Sequence, residues 1–344
     1  MSTKQARPAA KQSSSQRGFD GELAELETLS KAIAQDGPNA AQVERLRKTL
    51  AHRNNFIVAK AAKLVAEAEI SALLPEVLVA FDRFFADAAK TDPKCWAKEA
   101  LAKALVKLEH RSKEAYLRGM RHHQMEASWG PPVDTAGALR GTCIHALVNC
   151  PGISDADLLT ALLEPLTDAD KTVRIEAARA IGNVGGVSAA LILRLRALLG
   201  NDEPEVLGEV YAALLSLEGI EAIPLVVRSL EAGDDLAAEG AYALAGVRTP
   251  EALGALLARL REGADTWFTS VLLSAIALTR LPEAMDSLIS LIERDTGESA
   301  AAIEAIGRIA PNAEIRSRVE QAVELADSPR LRKAFREHWS TLPE

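Results

Sequence analysis

The residues best suited to chemistry lie in one segment near the middle of the chain. Residues 110–134 read HRSKEAYLRGMRHHQMEASWGPPVD and carry three of the six histidines together with Trp129. Arg118, His122 and Glu126 follow one another at intervals of four residues, so a helix would place them on one side. The solvated face of an amphipathic helix explains the same spacing more simply. With Arg121 and Trp129, these side chains are the candidate partner-binding residues of the insertion.

Metal binding and covalent catalysis find little support in the same region. His122 and Glu126 could supply two metal ligands and Asp134 a third, but no HExxH, CxxC or three-histidine spacing accompanies them. Cys143 and Cys150 are seven residues apart and fall on one apolar helix face, as small core side chains do. We therefore expect no metal, no cofactor and no catalytic residue.

The residues that flank the insertion predict how it is anchored. Asp134 follows a Pro-Pro pair and is placed to cap a helix over residues 135–148. Arg140 lies between two glycines of that helix, where it could face outward; it is a sixth candidate binding residue, although a pair with Asp134 is the more ordinary role. Upstream, Trp96 repeats with apolar residues every four positions, which predicts a core side chain.

An internal repeat provides the elements that would position this segment. The clearest copy is DADKTVRIEAARAIGNVG, residues Asp168–Gly185, and its Ala-Ile step at Ala180 recurs downstream at intervals of 33, 30, 32 and 30 residues. Upstream copies follow at 34, 42 and 40 residues, and the longest interval contains residues 110–134. Repeats of this length, extended in one copy, are typical of solenoids whose extra loop lies on a binding face. A further helix pair is predicted over Glu314–Trp339.

Each copy has the pattern of two amphipathic helices. The second helix places Val173, Ala177 and Ile181 inward and Arg174 outward, and Gly185 ends it. Such pairs bury their apolar faces only against neighbouring pairs. The predicted fold is all-α, a right-handed α-solenoid of about eight to nine stacked helix pairs.

The copy at Asp168–Gly185 resembles a HEAT repeat, and the intervals near 30 residues resemble the short HEAT-like repeats of bilin lyases. The resemblance spans roughly residues 40–340 and is strongest over 155–311. It implies an armadillo-like helical fold. Members of this family act mainly as scaffolds and protein-binding surfaces, and a few attach bilins or excise alkylated bases from DNA. No catalytic residue of those enzymes can be transferred to a position of this sequence.

Composition agrees with closely packed helices in a reducing compartment. Of the 344 residues 48% are hydrophobic but only 4% aromatic, which suits alanine-rich helices packed through small side chains. Three cysteines cannot build a disulfide framework, so a cytoplasmic location is expected. The longest uncharged apolar stretch, residues 267–279, is too short to cross a bilayer, and no membrane association is predicted.

The charge divides the chain near residue 150. Residues 1–150 carry 22 basic and 17 acidic side chains, whereas residues 151–344 carry 18 and 31. Residues 1–18 have four basic side chains, no acidic one and no apolar core, which predicts a disordered basic tail. The solenoid would then occupy 19–344, with longer irregular repeats over 19–150 and regular short repeats over 151–344.

These observations predict a noncatalytic scaffold or adaptor. The expected partner is another protein or peptide, held by the concave surface of the second helices and by residues 110–134. Nucleic-acid binding is the main alternative, because Lys90–Arg121 holds nine basic against four acidic residues. Base excision and a bilin-lyase-like activity are further alternatives that rest on the repeat alone.

Overall fold

A computed structural model of the chain describes residues 14–309 and 311–339. The described residues are almost wholly α-helical and divide into two compact units, with the boundary between Ile153 and Ser154. The predicted tail lies outside the described residues up to residue 13, and residues 14–18 already belong to the first helix.

The first unit contains eight helices and a two-stranded hairpin. Its elements are α1 (Ser14–Asp36), α2 (Ala40–Leu50), α3 (Asn55–Glu67), α4 (Leu74–Arg83), α5 (Ala88–Thr91), α6 (Trp96–Lys107), α7 (Lys113–Met120), β1 (Met125–Glu126), β2 (Val133–Asp134) and α8 (Gly137–Val148). Three helix pairs can be followed, α2 with α3, α4 with α6 and α7 with α8. The second helices α3, α6 and α8 pack in that order, so this unit is a short solenoid.

The second unit contains six regular helix pairs. Its helices are α9 (Asp155–Leu162), α10 (Lys171–Val184), α11 (Gly186–Leu199), α12 (Pro204–Glu218), α13 (Ile223–Val227), α14 (Asp235–Val247), α15 (Pro250–Glu262), α16 (Thr266–Thr279), α17 (Pro282–Glu293), α18 (Ser299–Arg308), α19 (Ala313–Ala326) and α20 (Pro329–Trp339). The even-numbered helices each pack on the next even-numbered helix. The predicted all-α solenoid is confirmed, and so is the last predicted pair, which forms α19 and α20.

Small residues bring the second helices close together, as the composition predicts. Ala177, Ala180 and Ala213 are buried, and Gly182 lies so near α12 that a Cβ on it would stand 2.9 Å from the Cβ of Ala213. Gly185 ends α10 with φ +79°, a conformation that favours glycine. The alanine-rich repeat therefore has a direct steric role at this contact.

Arg174 corrects the expected outward face of α10. Its side chain is only 9% exposed, because its guanidinium lies between the connecting turn before α10 and the connecting turn before α12. It donates to the backbone oxygens of Asp168 and Ala169 before α10 and pairs with Asp202 and Glu203 before α12. A guanidinium in the interior is stable only with such partners, and here they link consecutive repeats.

Two further expectations concern the interior of the first unit. Cys143 and Cys150 are buried free thiols, as predicted for core cysteines, and Cys95 is buried as well. The expectation that Trp96 is a core residue is wrong, because its side chain is 43% exposed. Its neighbours across the interhelical surface are too small to cover it, as described below.

One described segment is long and apolar enough to cross a membrane by length and composition alone. It covers Pro204–Glu231; an 18-residue stretch within it has a mean hydropathy of 1.7, and 44% of that stretch is buried within the fold. Gly219, at φ +58°, ends α12 in the middle of this stretch, and short 3₁₀ and α turns follow. Since α12 packs between α10 and α14, the segment has the place of a repeat core helix.

Candidate functional site

The insertion begins with a short helix that packs tightly on α8. Tyr116 of α7 is buried and its hydroxyl donates to the backbone oxygen of His110 at 2.8 Å, which fixes the entrance to the helix. A Cβ on Gly119 would collide with Sγ of Cys143 in α8. The glycine therefore permits the close contact between α7 and α8.

The predicted helix through Arg118, His122 and Glu126 is wrong. The helix α7 ends at Met120, so only Arg118 is helical, while Glu126 lies in β1. After α7 the backbone N–H of Gln124 donates to the carboxylate of Asp134 at 2.9 Å. If the helix continued through residue 126, this N–H would instead bond the backbone oxygen of Met120. A tertiary hydrogen bond here outweighs the local helical spacing.

A two-stranded hairpin carries Trp129 at its tip. In the register of the two strands, Met125 is opposite Asp134 and Glu126 is opposite Val133. The connecting loop is held by the hydroxyl of Ser128, which donates to the oxygen of Pro131 at 2.6 Å and accepts from the N–H of Gly130 at 3.1 Å. Two consecutive prolines further restrict this loop. The indole is therefore presented on a constrained turn.

Asp134 fixes the base of the hairpin through four donors. Its Oδ1 accepts from the N–H groups of Gln124 at 2.9 Å and Ala136 at 3.0 Å. Its Oδ2 accepts from Arg140 at 2.6 Å and faces Nδ1 of His123 at 2.9 Å. Burial alone would raise the pKa of Asp134, but these hydrogen bonds outweigh it and hold that pKa well below its usual range.

Two predictions about this base need correction and one is confirmed. Asp134 does not cap a helix that starts at Thr135, because α8 begins at Gly137 and Asp134 belongs to β2. Arg140 does not face outward, since only 2% of its side chain is exposed. Its ion pair with Asp134 is present as predicted, and Arg140 also donates to the backbone oxygen of His122 at 3.0 Å.

A buried lysine joins the hairpin base to the start of α6. The ammonium of Lys98 donates to Asp92 Oδ2 at 3.0 Å, to the Phe84 oxygen at 3.2 Å and to Gln124 Oε1 at 2.9 Å. The side chains of Lys98 and Asp92 are both fully buried. The amide of Gln124 in turn donates to the backbone oxygen of Asp92 at 2.8 Å. A buried charge of this kind needs all its partners, so it ties the segment after α7 to α6.

Sequence reasoning missed this lysine, although a signal was available. Lys98 falls in register with the buried residues Leu101 and Leu105 of α6, a phase where a charged side chain must be either exposed or paired. Asp92 lies six residues earlier and its carboxylate accepts the N–H groups of Ala97 and Lys98. The two charged residues together mark a buried pair.

The six predicted binding residues fall into three groups: two serve the hairpin base, two pack on Phe85 and two are exposed. Arg140 and Glu126 serve the base, since Glu126 accepts from the Lys94 N–H at 2.7 Å and from the Thr135 hydroxyl at 2.9 Å. Hydrogen bonds from these donors and from Gln124 lower the pKa of Glu126, against burial, which would raise it. Both carboxylates of the hairpin are thus held as anions by the fold.

His122 and Arg118 pack on Phe85 of the same unit. The His122 ring meets Phe85 edge to face with centroids 4.9 Å apart, and burial lowers the pKa of His122. Arg118 lies over the same ring at 5.3 Å and pairs with Asp82 at 3.0 Å, yet its side chain stays 45% exposed. These contacts place His122 among the structural residues and leave Arg118 partly accessible.

Trp129 and Arg121 are the candidate residues that point to solvent. Trp129 is fully exposed, and its neighbours in the hairpin, Met125 and Val133, are 58% and 52% exposed. Among the residues described, no three His, Cys, Asp or Glu side chains are grouped so that they could hold a metal ion. The arrangement can thus offer an apolar contact surface on a rigid base.

Comparison with known proteins identifies the repeat. Residues 156–245 match the HEAT repeats family, which corresponds to the segment from α9 to α14. Eleven solved chains match, and one of them is human deoxyhypusine hydroxylase in complex with glycerol. That similarity covers 76% of this chain and 98% of that chain, at 15% identity and a TM-score of 0.29. No curated protein matches the chain.

Proposed function

For a chain that contains HEAT repeats and forms a helical repeat scaffold, we propose a noncatalytic role in binding another protein or peptide. The contact surfaces are the row of second helices and the insertion at residues 110–134. The observation that carries the proposal is the fully exposed Trp129 at the tip of a hairpin with a fixed base.

Exposure of Trp129 has a free-energy cost that a partner would remove. A tryptophan side chain offers about 200 Å² of contact area, and tryptophan is enriched among the residues that dominate binding energy at interfaces. The hairpin base keeps the loop in place before a partner arrives, so less conformational entropy is lost on binding. Met125 and Val133 extend the apolar surface beside the indole.

The base-excision alternative is less well supported by the site. A base-excision site would need a carboxylate and an aromatic side chain in one positive cleft. Here Asp134 is engaged by four donors at the hairpin base and Trp129 lies at the opposite end of the hairpin. This separation favours a structural role for the carboxylate and a contact role for the indole.

The test is affinity capture from the native cell with Trp129→Ala, followed by binding measurements with the purified partner. Leu325→Ala is the matched control, because Leu325 is also exposed, at 72%, and lies on α19, outside both the insertion and the row of second helices. Arg118 and His122 stay unchanged, since they pack on Phe85 and their loss would disturb the fold.

We expect at least one protein to be captured by the wild type and by Leu325→Ala but lost with Trp129→Ala. For the purified partner, removal of a central tryptophan should weaken binding about thirtyfold, which corresponds to about 2 kcal/mol. Helical circular dichroism should be the same for all three proteins. If all three capture the same proteins with the same affinity, the insertion has no part in binding and the proposal fails.

A further inference from the structure

A basic, aromatic groove lies between α3 and α6 of the first unit. Phe56 and Trp96 stand 40 positions apart near the starts of these two packed helices, and their rings meet at 5.4 Å and 60°. Beside them is a cavity of about 480 Å³. Eleven positions separate Phe56 from Glu67 at the other end, so the groove is about 16 Å long.

The floor of the groove consists of small residues. Ala59 and Ala66 of α3 and Ala100 of α6 line it, and none of them reaches far enough to cover the indole of Trp96. That indole remains 43% exposed beside the alanine floor. A bulky apolar side chain could therefore enter between the helices and bury itself against Trp96.

Lysines dominate the rim of the groove. Four lysines and two glutamates line it: Lys60, Lys63, Lys103, Lys107, Glu67 and Glu99. A fifth lysine, Lys94, lies over the Trp96 ring at 5.2 Å, and Lys60 lies over the Phe56 ring at 5.4 Å. Lysines therefore line the groove along its whole length, and two of them lie over its aromatic rings.

The ion pairs that these lysines form on the surface are easily exchanged. Lys103 is 2.6 Å from Glu99 and Lys63 is 3.6 Å from Glu67, and the lysine side chains are 61% and 67% exposed. Exposed pairs of this kind contribute about 0–1 kcal/mol each. An incoming carboxylate can replace Glu99 or Glu67 at little cost.

We propose that this groove binds an acidic peptide segment that carries a bulky apolar side chain. The apolar side chain would occupy the alanine floor against Trp96, and carboxylates on either side would pair with Lys60 and Lys103. This inference rests on the proposed scaffold function and adds to it the chemistry of a partner. It concerns a different surface from the hairpin, so each can fail without the other.

Single-stranded nucleic acid fits the same groove less well. Proteins that bind single-stranded nucleic acid stack successive bases on aromatic faces along a positively charged channel. Here Phe56 and Trp96 meet edge to face, and Lys94 covers one face of the indole. A polynucleotide would also bring a phosphate to Glu67 and Glu99, whereas a peptide needs acidic side chains only opposite lysines.

The test measures fluorescence anisotropy of labelled probes with the full chain at low salt. The probe is a twelve-residue peptide of alternating glutamate and leucine with one central phenylalanine; a lysine-for-glutamate peptide and a labelled oligodeoxythymidine are the comparisons. The charge variant is Lys60→Glu with Lys103→Glu, and its matched control is Lys31→Glu with Lys113→Glu, both exposed elsewhere in the unit.

A second variant, Ala100→Leu, fills the floor without a change of charge, and Ala212→Leu on an exposed helix position is its control. We expect the groove charge variant to weaken binding of the acidic peptide about tenfold or more. Ala100→Leu should weaken it about fivefold, and both controls should stay within twofold of the wild type.

Unchanged affinity in the groove charge variant or in Ala100→Leu would overturn the inference, as would equal binding of the lysine peptide. Binding of oligodeoxythymidine in preference to the acidic peptide would overturn it in favour of nucleic acid. If the acidic peptide does not bind in the groove but capture still depends on Trp129, the groove inference fails and the scaffold proposal stands. Loss of that capture with intact peptide binding would remove only the hairpin.

Discussion

Replacement of Lys98 by methionine should destabilise the first unit and loosen the hairpin base. Methionine retains an unbranched apolar stem of similar length but removes the ammonium. Three hydrogen bonds disappear with it, to the oxygen of Phe84, to Asp92 and to Gln124. Since Gln124 also holds Asp134, the effect should spread to the hairpin.

The magnitude follows from what the partners of Lys98 retain. Asp92 still accepts from the N–H groups of Ala97 at 2.8 Å and residue 98 at 2.9 Å, and from the Asn55 amide at 2.9 Å. Its carboxylate therefore remains solvated by the protein, and the loss should fall below the 3–5 kcal/mol of a fully broken buried pair. We expect about 2–3 kcal/mol, because the Phe84 oxygen loses its lysine donor and Gln124 Oε1 keeps only the neighbouring His122 Nε2, at 3.2 Å.

Asp92→Asn should cost more than Lys98→Met. It leaves the ammonium of Lys98 buried among neutral acceptors only, since asparagine has no negative charge and its single amide oxygen cannot replace both carboxylate oxygens. An uncompensated buried charge of this kind costs about 4 kcal/mol or more. The order of the two variants is therefore a sharper test than either value alone.

Urea unfolding followed by circular dichroism and tryptophan fluorescence gives the free energies. Hydrogen exchange read by mass spectrometry locates the effect, because residues 92–98 and 122–136 should lose protection while residues 204–218 of the second unit keep theirs. A cost of less than about 1 kcal/mol for Lys98→Met, or a cost greater than that of Asp92→Asn, would show that the ammonium is not an essential part of this core. Equal loss of protection in both units would show that its effect is not local.

Three more predictions concern Asp134, Gly182 and Cys95. Because the pKa of Asp134 is low in the folded protein, its stabilising contribution is complete above the unfolded-state pKa of about 4 and is lost as the pH falls below that value. Asp134→Asn should therefore reduce the fall in the free energy of unfolding at acid pH, and parallel curves for variant and wild type would contradict this. Gly182→Ala should lower the free energy of unfolding, measured by heat or urea, by about 1–3 kcal/mol, because the new methyl group meets Ala213. In the control Gly254→Ala the new methyl group meets nothing within 4 Å, so this variant should be neutral or stabilising by up to about 1 kcal/mol. Burial raises the pKa of the Cys95 thiol to about 12, so an aromatic disulfide reagent at pH 8 should label it only after denaturation, and rapid labelling of the native protein would show that the core around it opens.

The solenoid could be predicted from the sequence because its signals are local. The 3.6-residue period fixes the buried face of each helix, and Gly185 marks the end of α10 without knowledge of any distant residue. Whether a neighbour covers a given side chain is a different matter. Trp96 has the helical phase of a core residue, yet the alanines opposite it on α3 are too small to enclose it.

The site was harder to predict because long-range polar contacts decide its shape. The spacing of Arg118, His122 and Glu126 fits a helix, and no local feature tells that Gln124 will bind Asp134 instead. Of the six candidate residues, the role of Trp129 on an exposed turn is the one most open to sequence reasoning, since a Gly-Pro-Pro run follows it directly. The inward role of Arg140 was indicated only by its pairing with Asp134.

The buried Lys98 also sets an order of events during synthesis. Its partner Gln124 lies 26 positions later and Asp134 lies 36 positions later, so α6 leaves the ribosome before the hairpin exists. At 5–20 residues per second that interval is about 2–7 s, during which the ammonium has no complete set of partners and must stay hydrated. The polar core at the start of α6 therefore closes only after the hairpin has been made, and the segment that presents Trp129 also supplies Gln124 to the buried charge of the unit that carries it.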